Sequence, residues 1–334
     1  MVGRNNMKRI RTAIIGLGNI AHGYDDIPAV KKRIAYPTHL SALTQDGRFE
    51  LIAAADPSVS AQHAFRNKVP QSVEMYANYR HMLRKEGIDL LVVAAPTALH
   101  YRIVADALRF GCTHILCEKP ITKTVAEARK LEALAKRYRA TIHVNYLRSY
   151  DKNYARLARE IQKGTFGHAL TVTVRYNKGV HNIATHAIHL LEKIFGPITR
   201  IESARQSLRG PDPTICFTAY CGGVRLYFDG VDIAPSAFRL FEIDMLFDQG
   251  RLWLEHDTLR EFAPERKDGY SYLREQKPRV RIDIGKSMLD VYEHIFRVRA
   301  GRERPAADLP SSIHALRVAE AAVRSAKSGK PVRV

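Results

Sequence analysis

Short apolar runs alternate with amphipathic stretches along the first 150 residues of the chain. Continuous apolar runs predict buried strands, and these runs are Arg11–Ile15, Phe49–Asp56, Ile88–Ala95, Thr113–Cys117 and Thr141–Tyr146. Helical periodicity appears between them, at His39–Gln45, Tyr101–Phe110 and Thr124–Tyr138. Alternating strands and helices predict a parallel sheet covered on both faces, with a ligand crevice at the carboxyl ends of its strands.

One segment interrupts this alternation. Residues 22–37 contain a glycine, two prolines and charges of both signs, and this composition predicts an inserted loop. Because the loop follows the carboxyl end of the first strand, we expect it to lie beside a bound ligand.

The pattern changes after about residue 150, where stretches typical of strands dominate. Alternating apolar positions predict strands at Leu170–Tyr176, Ile215–Tyr220, Val224–Phe228, Arg239–Phe247 and Val280–Ile284. Predicted helices punctuate them at Tyr154–Lys163, His186–Phe195, Met288–Arg299 and Ser311–Ser328. The second part of the chain is therefore predicted to form a mainly antiparallel sheet with helices.

Composition agrees with a folded protein of two domains. The 334 residues are 46% apolar and 26% charged, as in globular proteins. No apolar run reaches the roughly 20 residues of a membrane span, and Met1–Arg11 has no apolar core of the signal-peptide kind. We therefore expect a cytoplasmic protein that does not bind membranes.

The chain is strongly basic, with 53 Lys and Arg against 34 Asp and Glu and a net charge of +19. The basic residues are scattered, with only short clusters such as Lys31–Arg33, and no nucleic-acid-binding motif accompanies them. This distribution favours a solvated surface over a funnel for anionic substrates, and nucleic acid is not an expected partner.

The four cysteines lack the spacing of zinc or redox sites. Cys112, Cys117, Cys216 and Cys221 form no pair separated by two residues. We interpret all four as buried thiols and expect no metal.

A glycine motif follows the first predicted strand. Gly16-Leu17-Gly18-Asn19-Ile20-Ala21 permits a tight turn and a close approach of the backbone to a pyrophosphate. Asp56 ends the second strand, where its carboxylate can bind the adenosine ribose. The same carboxylate would repel a 2′-phosphate, so the motif predicts NAD, with NADP as the alternative.

Further motifs carry a resemblance to a known family. The glycine motif, Pro96-Thr97-Ala98-Leu99-His100, Glu118-Lys119-Pro120 and a histidine-centred segment near residue 186 resemble the glucose–fructose oxidoreductase, inositol dehydrogenase and rhizopine-catabolism (Gfo/Idh/MocA) family. The stretch Leu316–Ala322 with Gly329-Lys330-Pro331 is similar to that family's last helix. The resemblance implies an α/β fold: an N-terminal Rossmann domain with a doubly wound parallel sheet, and a C-terminal α/β domain with an open-faced, mainly antiparallel sheet.

The same resemblance divides the chain into domains. It places the dinucleotide-binding domain at residues 8–122 and a substrate and oligomerisation domain at 123–334. The helix and strand over 124–147 and the C-terminal helix can pack on the first domain. A homodimer or homotetramer is the implied assembly.

The resemblance also implies the site residues. Lys119 is expected to stabilise the reacting oxygen, and His186 to carry the proton because imidazole titrates near neutrality. Asn182 stands where the family has an acid, so it can orient a group but cannot stabilise an imidazolium by charge. The remaining cofactor contacts are expected from Gly16, Gly18, Asn19, Ile20, Ala21, Asp56, Pro96, Thr97, His100 and Glu118, and substrate contacts from Asn145, Arg148, Tyr176, Lys178 and His189.

The expected function is hydride transfer between a nicotinamide cofactor and an alcohol or ketone carbon of a sugar, inositol or nucleotide sugar. The alternative is a regulator of the same fold that binds the dinucleotide without catalysis, and Asn182 is the residue that favours it. The retained Lys119 and His186 favour the enzyme.

Overall fold

The computed structural model describes residues 9–207, 210–234, 238–256, 258–282 and 284–334. The chain forms two compact units. The first ends at Tyr150 and also takes in Gly285–Pro310, and the second consists of Asp151–Ile284 and Ser311–Val334. In these described ranges, no helix is long and apolar enough to cross a membrane.

A parallel sheet of six strands forms the centre of the first unit, as far as the chain is described. Its strands are β1 Ile10–Ile15, β2 Phe49–Ala55, β3 Glu74–Tyr76, β4 Leu90–Val93, β5 His114–Cys117 and β6 Thr141–Val144. Their order across the sheet is β3-β2-β1-β4-β5-β6. All of β4 is 0% exposed, so both faces of the sheet are covered, and this is why the strand is a continuous apolar run. The strand order reverses between β1 and β4, where sheets of this kind bind ligands.

Among the described residues, the helices include the seven predicted segments and four that were not predicted. In chain order they are α1 Pro28–Lys31, α2 His39–Gln45, α3 Val59–Arg66, α4 Tyr79–Lys85, α5 Thr97–Arg109, α6 Val125–Arg137, α7 Leu147–Tyr150, α8 Lys152–Gln162, α9 Thr185–Phe195, α10 Ser287–Arg299 and α11 Leu309–Ser328. Local sequence sets their ends. At α6, Thr124 accepts a hydrogen bond from the backbone N–H of Glu127, and Lys136 and Arg137 in the last turn complement the helix dipole.

The first unit continues beyond residue 122. β6 pairs in parallel with β5, from His114↔Thr141 to Cys117↔Val144, so the 124–147 helix and strand are part of the first unit. The segment Gly285–Pro310 belongs there too, and the Val144 N–H donates to Ala307 O at 3.0 Å. The C-terminal helix α11, from Ser311 onward, belongs to the second unit. Local sequence patterns predict these helices and strands, but they do not show which distant part of the chain each of them contacts.

The insertion interrupts the first helix after β1. Residues 23–26 form a 3-10 turn and α1 follows, both within the predicted loop 22–37. The chain then returns, and the N–H groups of His39 and Leu40 donate to the carbonyls of Ile20 and Ala21 at 3.0 and 2.9 Å. Helix α2 thus continues the helical turn that the glycine motif begins.

A sheet of nine strands forms the second unit, again as far as the chain is described. Its strands are β7 Ala169–Tyr176, β8 Ile198–Ser207, β9 Thr214–Cys221, β10 Val224–Gly230, β11 Phe241–Phe247, β12 Gly250–Glu255, β13 Thr258–Lys267, β14 Tyr270–Gln276 and β15 Val332–Arg333. Their order is β14-β13-β12-β11-β7-β10-β9-β8-β15, and among the described strands of this sheet only β7 and β10 pair in parallel. Along β7, Val172, Val174 and Tyr176 point into the core while Thr173 and Arg175 point outward, so one face of the sheet stays open. The predicted fold class is confirmed.

Two local predictions are wrong. Val280–Ile284 was expected to form a strand, but Val280 and Ile282 are buried at 2% and 7% without strand pairing, and Ile284 begins a 3-10 turn. Cys216 is only half-buried, because it lies on the outward side of β9, whereas Cys112, Cys117 and Cys221 are buried.

Candidate functional site

The glycine turn after β1 is shaped by close packing at its first glycine. Gly16 has φ +91°, and a Cβ there would lie 2.5 Å from the backbone nitrogen of Ala95. Only glycine fits this approach. Gly18 has open space around it, and both Gly18 and Asn19 are exposed, while Ala21 is fully buried.

The same turn presents vacant hydrogen-bond donors. The backbone N–H groups of Gly18, Asn19 and Ile20 form no hydrogen bond with any residue that the structure describes. They precede a helical turn closed by the Ala21 N–H, which donates to Gly18 O at 3.0 Å. Vacant N–H groups at the start of a helical turn are suited to bind phosphate oxygens.

Asp56 is tied to the glycine turn. Its Oδ2 accepts the Leu17 N–H at 2.9 Å, and its Oδ1 accepts the Ser58 N–H at 2.8 Å. A carboxylate has about four acceptor positions, so two remain for a ligand. The contact between Asp56 and the ribose stays a prediction. The Asp56 carboxylate lies beside the glycine turn.

Pro96 and Thr97 begin α5 directly after β4, with Pro96 at the N-cap position. His100, three residues after Thr97, is 1% exposed. Its Nε2 lies 2.7 Å from Ala95 O and its Nδ1 lies 2.9 Å from Pro120 O. His100 therefore joins the turn that packs on Gly16 to the turn that holds Lys119, and its contact with the cofactor stays a prediction.

Glu118 is the centre of a buried network at the end of β5. Its side chain is 13% exposed, and its Oε1 accepts from Asn145 Nδ2 at 2.6 Å and lies 3.1 Å from Nε2 of His39. Burial alone raises the pKa of this carboxyl, but the hydrogen bonds from His39 and Asn145 and the charge of Lys119 outweigh it and lower the pKa below its ordinary value. Glu118 is therefore an anion at neutral pH.

His39 extends this network to a tyrosine. The His39 ring is fully buried, and its Nδ1 lies 2.9 Å from the hydroxyl of Tyr292 in α10. Burial and the charge of Glu118 raise the pKa of Tyr292 well above its ordinary value, so the hydroxyl that is hydrogen-bonded to Nδ1 keeps its proton. His39 donates from Nε2 to the Glu118 carboxylate, which only accepts.

Asn145 and Lys119 meet at this carboxylate. Asn145 follows β6, is 2% exposed, and donates its backbone N–H to Cys117 O at 2.9 Å. Its Oδ1 is buried and has no hydrogen-bond partner among the described residues. Lys119 is half-buried, and its backbone N–H donates to Glu118 Oε2 at 3.3 Å. Arg148, in α7, is buried at 4%, and its substrate contact stays a prediction.

In the second unit, two of the predicted substrate residues differ in accessibility. Tyr176 is fully buried, and its hydroxyl both donates to Ile215 O at 2.7 Å and accepts the Ile215 N–H at 3.0 Å. This hydroxyl is part of the core and a substrate contact through it is not supported. Lys178 is exposed and has a left-handed backbone with φ +63°.

A carboxylate caps the helical segment that carries Asn182. Residues 180–184 form a π-helical turn that leads into α9. Asp212 accepts the N–H groups of His181 and Asn182 at 2.9 and 2.8 Å, and its Oδ1 also lies 2.9 Å from the His181 ring. A Cβ on Gly179 would lie 2.1 Å from Asp212 Oδ2, so glycine is needed for this approach. Asp212 thus supplies a carboxylate to this segment, although residue 182 is an asparagine.

The two histidines of α9 are buried to different degrees. His186 is 8% exposed and lies on the first turn of α9. His189 is 2% exposed, and its Nε2 lies 3.2 Å from Ser311 Oγ. Burial, with a smaller effect of Lys193, lowers the pKa of His189 to about 3, so this ring is neutral at pH 7. Within the described ranges, no group of three or more His, Cys, Asp or Glu side chains is arranged to hold a metal ion.

Sequence reasoning missed three residues of these networks: His39, Tyr292 and Asp212. Their partners are distant in the chain, 253 residues away for His39 and Tyr292 and 31 for His181 and Asp212. His39 opens a predicted helix after the capping Thr38, and nothing in that local pattern indicates a contact with Glu118.

The doubly wound sheet, the vacant N–H groups and Asp56 together define a dinucleotide-binding domain of the Rossmann class. Residues 10–146 match the model of the Gfo/Idh/MocA oxidoreductase family, described as an NAD-binding Rossmann fold. Over residues 10–146 this match confirms the recognition made from the motifs.

Relatives with known names agree with this assignment. The rhizopine catabolism protein MocA of Rhizobium meliloti is 26% identical over 167 residues, which cover 50% of this chain and 47% of that protein. The chain spans about half the length of the first curated relatives it matches, from 42% to 56%.

Solved structures share the fold over nearly the whole chain. The WlbA dehydrogenase from Bordetella pertussis, solved with NADH and UDP-GlcNAcA, is 17% identical with a TM-score of 0.79, covering 98% of both chains. The myo-inositol 2-dehydrogenase from Lactobacillus plantarum is 20% identical with a TM-score of 0.75, covering 98% of this chain and 100% of that one. At these identities the likeness shows the fold alone.

Proposed function

We propose that this protein transfers a hydride between NAD(H) and a secondary alcohol or ketone carbon of a sugar, an inositol or a nucleotide sugar. The observation that carries the proposal is the glycine turn, whose vacant N–H groups at Gly18, Asn19 and Ile20 lie beside Asp56. The family match over residues 10–146 and the dehydrogenases among the similar structures support it. The alternative of a catalytically inactive regulator has no support among these relatives.

The first unit would hold the dinucleotide. The N–H groups of the glycine turn would bind the pyrophosphate, Asp56 the adenosine ribose, and Pro96 and Thr97 would line the crevice beyond β4. When bound, the nicotinamide ring would accept or supply the hydride.

Lys119 and His186 are the proposed reacting side chains. The Lys119 ammonium would donate to the reacting oxygen and stabilise the negative charge that develops there during hydride transfer. His186 would take the hydroxyl proton or return it, and Asn182 would hold a hydroxyl by hydrogen bonding. Asp212 keeps the backbone of the segment before His186 in place through its bonds to the His181 and Asn182 N–H groups.

The preference for NAD over NADP is assigned to Asp56. Its carboxylate is held by the Leu17 and Ser58 N–H groups, and a 2′-phosphate beside it would be repelled. We expect NADH to bind more tightly than NADPH in calorimetric titrations. Equal or tighter binding of NADPH would remove this role from Asp56.

The charge of the chain and its similarity in fold to WlbA both bear on the class of substrate. Although the basic residues are scattered, a net charge of +19 attracts anions in general and therefore favours a nucleotide sugar or uronate over a neutral inositol. WlbA was solved with a nucleotide sugar, and its chain is similar to this one in fold.

The experiment is a titration followed by turnover. Purified protein is titrated with NADH and NADPH, and then supplied with NAD and a panel of sugars, inositols and nucleotide sugars while absorbance at about 340 nm is followed. We expect turnover that is lost in Lys119→Ala and His186→Ala while NADH still binds. Binding without turnover on the whole panel would favour the regulator, and absence of binding would refute the proposal.

We further expect a homodimer or homotetramer formed through the open face of the nine-stranded sheet. This face carries Trp253 between two arginines, with the guanidinium of Arg260 5.0 Å and that of Arg251 5.7 Å from the indole ring. Aromatic and arginine side chains are enriched in interfaces. Light scattering after gel filtration measures the mass, and a monomer would contradict the expectation.

A further inference from the structure

We propose that Oδ1 of Asn145 accepts a hydrogen bond from the carboxamide N–H of the nicotinamide ring and selects that group over one without an N–H. The inference rests on the proposed function, because it concerns the same dinucleotide. It assigns a specific partner to an atom that has none among the described residues.

The orientation of the Asn145 amide is fixed by its neighbours. Its Nδ2 donates to Glu118 Oε1 at 2.6 Å and lies 3.7 Å from Met288 Sδ. Because Glu118 is an anion and accepts only, reversing the amide would place two acceptor oxygens in contact. Oδ1 must therefore point away from Glu118.

The acceptor is buried and held in place before any ligand arrives. Asn145 is 2% exposed, and Glu118 is itself held by His39, which is held by Tyr292. A buried acceptor without a donor costs free energy that a ligand can recover by supplying the donor. The network thus leaves one acceptor position that suits an N–H or O–H group.

The position of Asn145 in the sheet favours the nicotinamide half of the dinucleotide. The glycine turn follows β1 and Asp56 follows β2, so the adenosine half is expected on that side of the strand-order reversal. Asn145 follows β6, three strands from β1 in the opposite direction, or about 14 Å at ordinary strand spacing. An extended dinucleotide bound across the carboxyl ends of the strands would bring its nicotinamide toward β5 and β6.

The chemistry of the surroundings favours an amide N–H as the donor. Glu118 and Asn145 both present acceptor oxygens here, so a carboxylate or ketone in the same place would meet oxygen instead of a donor. A carboxamide has two N–H groups and no charge. Sites built to bind an N–H discriminate strongly against analogues that lack it.

The test compares two dinucleotides by isothermal titration calorimetry on the full chain. One is NAD+, and the other is 3-acetylpyridine adenine dinucleotide, in which a methyl group replaces the carboxamide NH2. We expect the unaltered protein to bind NAD+ about tenfold more tightly, the effect of one buried hydrogen bond. In Asn145→Ala the ratio of the two affinities should fall to within about twofold, mainly because NAD+ binds less tightly.

A matched control uses another asparagine of the first unit. Asn78 caps α4 by accepting the Arg80 N–H at 2.9 Å and is exposed, so Asn78→Ala should leave the ratio unchanged. If Asn145→Ala does not fold, Glu118→Gln serves instead, because a neutral glutamine amide can donate as well as accept and so permits the Asn145 amide to reverse, with Oδ1 facing the glutamine and no longer available to the dinucleotide. The ratio should again fall.

The outcomes separate this inference from the proposed function. Equal affinities in the unaltered protein, or a ratio that persists in Asn145→Ala, would overturn the assignment. Unchanged binding of both dinucleotides in Asn145→Ala with a raised KM for the substrate would also overturn it, since the donor would then be a substrate hydroxyl. Failure of the unaltered protein to bind either dinucleotide would refute the proposed function itself.

Discussion

Gly16 and Gly18 are glycines for two different reasons. At Gly16 the backbone has φ +91°, and a side chain would collide with the backbone of Ala94 and Ala95. At Gly18 the space around the Cα atom is open, so the fold alone does not demand glycine. The sequence motif presents them as a pair, and the distinction appears only when the end of β4 is brought against the turn.

This difference predicts opposite phenotypes for two alanine variants. Gly16→Ala should lower the free energy of unfolding by at least about 2 kcal/mol, because left-handed alanine and a backbone collision both cost free energy. Gly18→Ala should change it by less than about 1 kcal/mol but weaken NAD+ binding, since the methyl group would hinder the approach of the pyrophosphate. Urea unfolding and calorimetry measure the two effects. A Gly16→Ala variant of unchanged stability would contradict the close packing described for this turn.

At the scale of elements, the His39 network joins α2, the end of β5 and α10. His39 donates to Glu118 and is hydrogen-bonded to Tyr292, so its removal leaves a carboxylate and a hydroxyl partly unsatisfied. We expect His39→Phe to lower the free energy of unfolding by about 3 kcal/mol and Tyr292→Phe by about 1 kcal/mol. The double variant should cost less than the sum of the two, because both remove the same bond. Additive losses in urea unfolding would show that the two residues act independently.

Asp212 performs a similar function for the segment that leads into α9. Asp212→Asn should lower the free energy of unfolding by about 1 to 2 kcal/mol, because a charged acceptor at the start of a helical turn is replaced by a neutral one. Hydrogen exchange at the His181 and Asn182 amides should accelerate. Asp248→Asn is a suitable control, since Asp248 accepts the exposed His168 N–H outside any helix. Unchanged exchange at both amides would contradict the capping role.

Sequence patterns predicted the central elements of both units because burial leaves a strong periodic signal. β4 is a fully buried apolar run and β7 alternates in and out, and both were predicted from those features. β14 was missed because all of its residues are exposed and it has no apolar face. The opposite error occurred at Val280 and Ile282, where a strand was predicted and none forms. Their side chains fill the core from an irregular segment, so they are apolar without being part of a strand.

The candidate site was predictable only where its residues belong to local motifs. Gly16, Asp56, Lys119 and His186 follow strand ends or begin a helix, and the motif gives their positions. Tyr176 shows the limit, because a tyrosine at the end of a strand can face either a ligand or the core. Its two bonds to Ile215 decide the matter, and no local pattern indicates them.

At the scale of the whole molecule, two buried histidines should make the folded protein less stable in acid. Burial is the main cause that lowers the pKa of His143 and of His189 to about 3 each, with the charges of His294 and His114 adding to it at His143. Both rings are neutral when folded, whereas an unfolded chain binds protons below about pH 6.5. The contribution of the two neutral rings to the free energy of unfolding is therefore complete above about pH 6.5. It is lost as the pH falls toward 3, by about 1.4 kcal/mol per pH unit for each histidine.

His143→Phe tests this dependence. Neither ring nitrogen of His143 has a hydrogen-bond partner among the described residues, so a phenyl ring can replace it without leaving a polar group unsatisfied. Between pH 6 and 4, the slope of the unfolding free energy should decrease by about 1.4 kcal/mol per pH unit. His81→Gln, at an exposed position, should leave the slope as it is. An unaltered slope in His143→Phe would mean that His143 is not the titrating group.

The insertion after the glycine turn has a consequence for how this chain could be altered. Ile20 and Ala21 accept hydrogen bonds from His39 and Leu40, and removal of the fifteen residues 23–37 would make each donor the fourth residue after its acceptor. That spacing is the one an uninterrupted α-helix requires. The segment is therefore an addition that preserves helical phase, and a shortened chain, or one with a foreign peptide grafted at this point, could keep the same framework while the surroundings of the cofactor are redesigned.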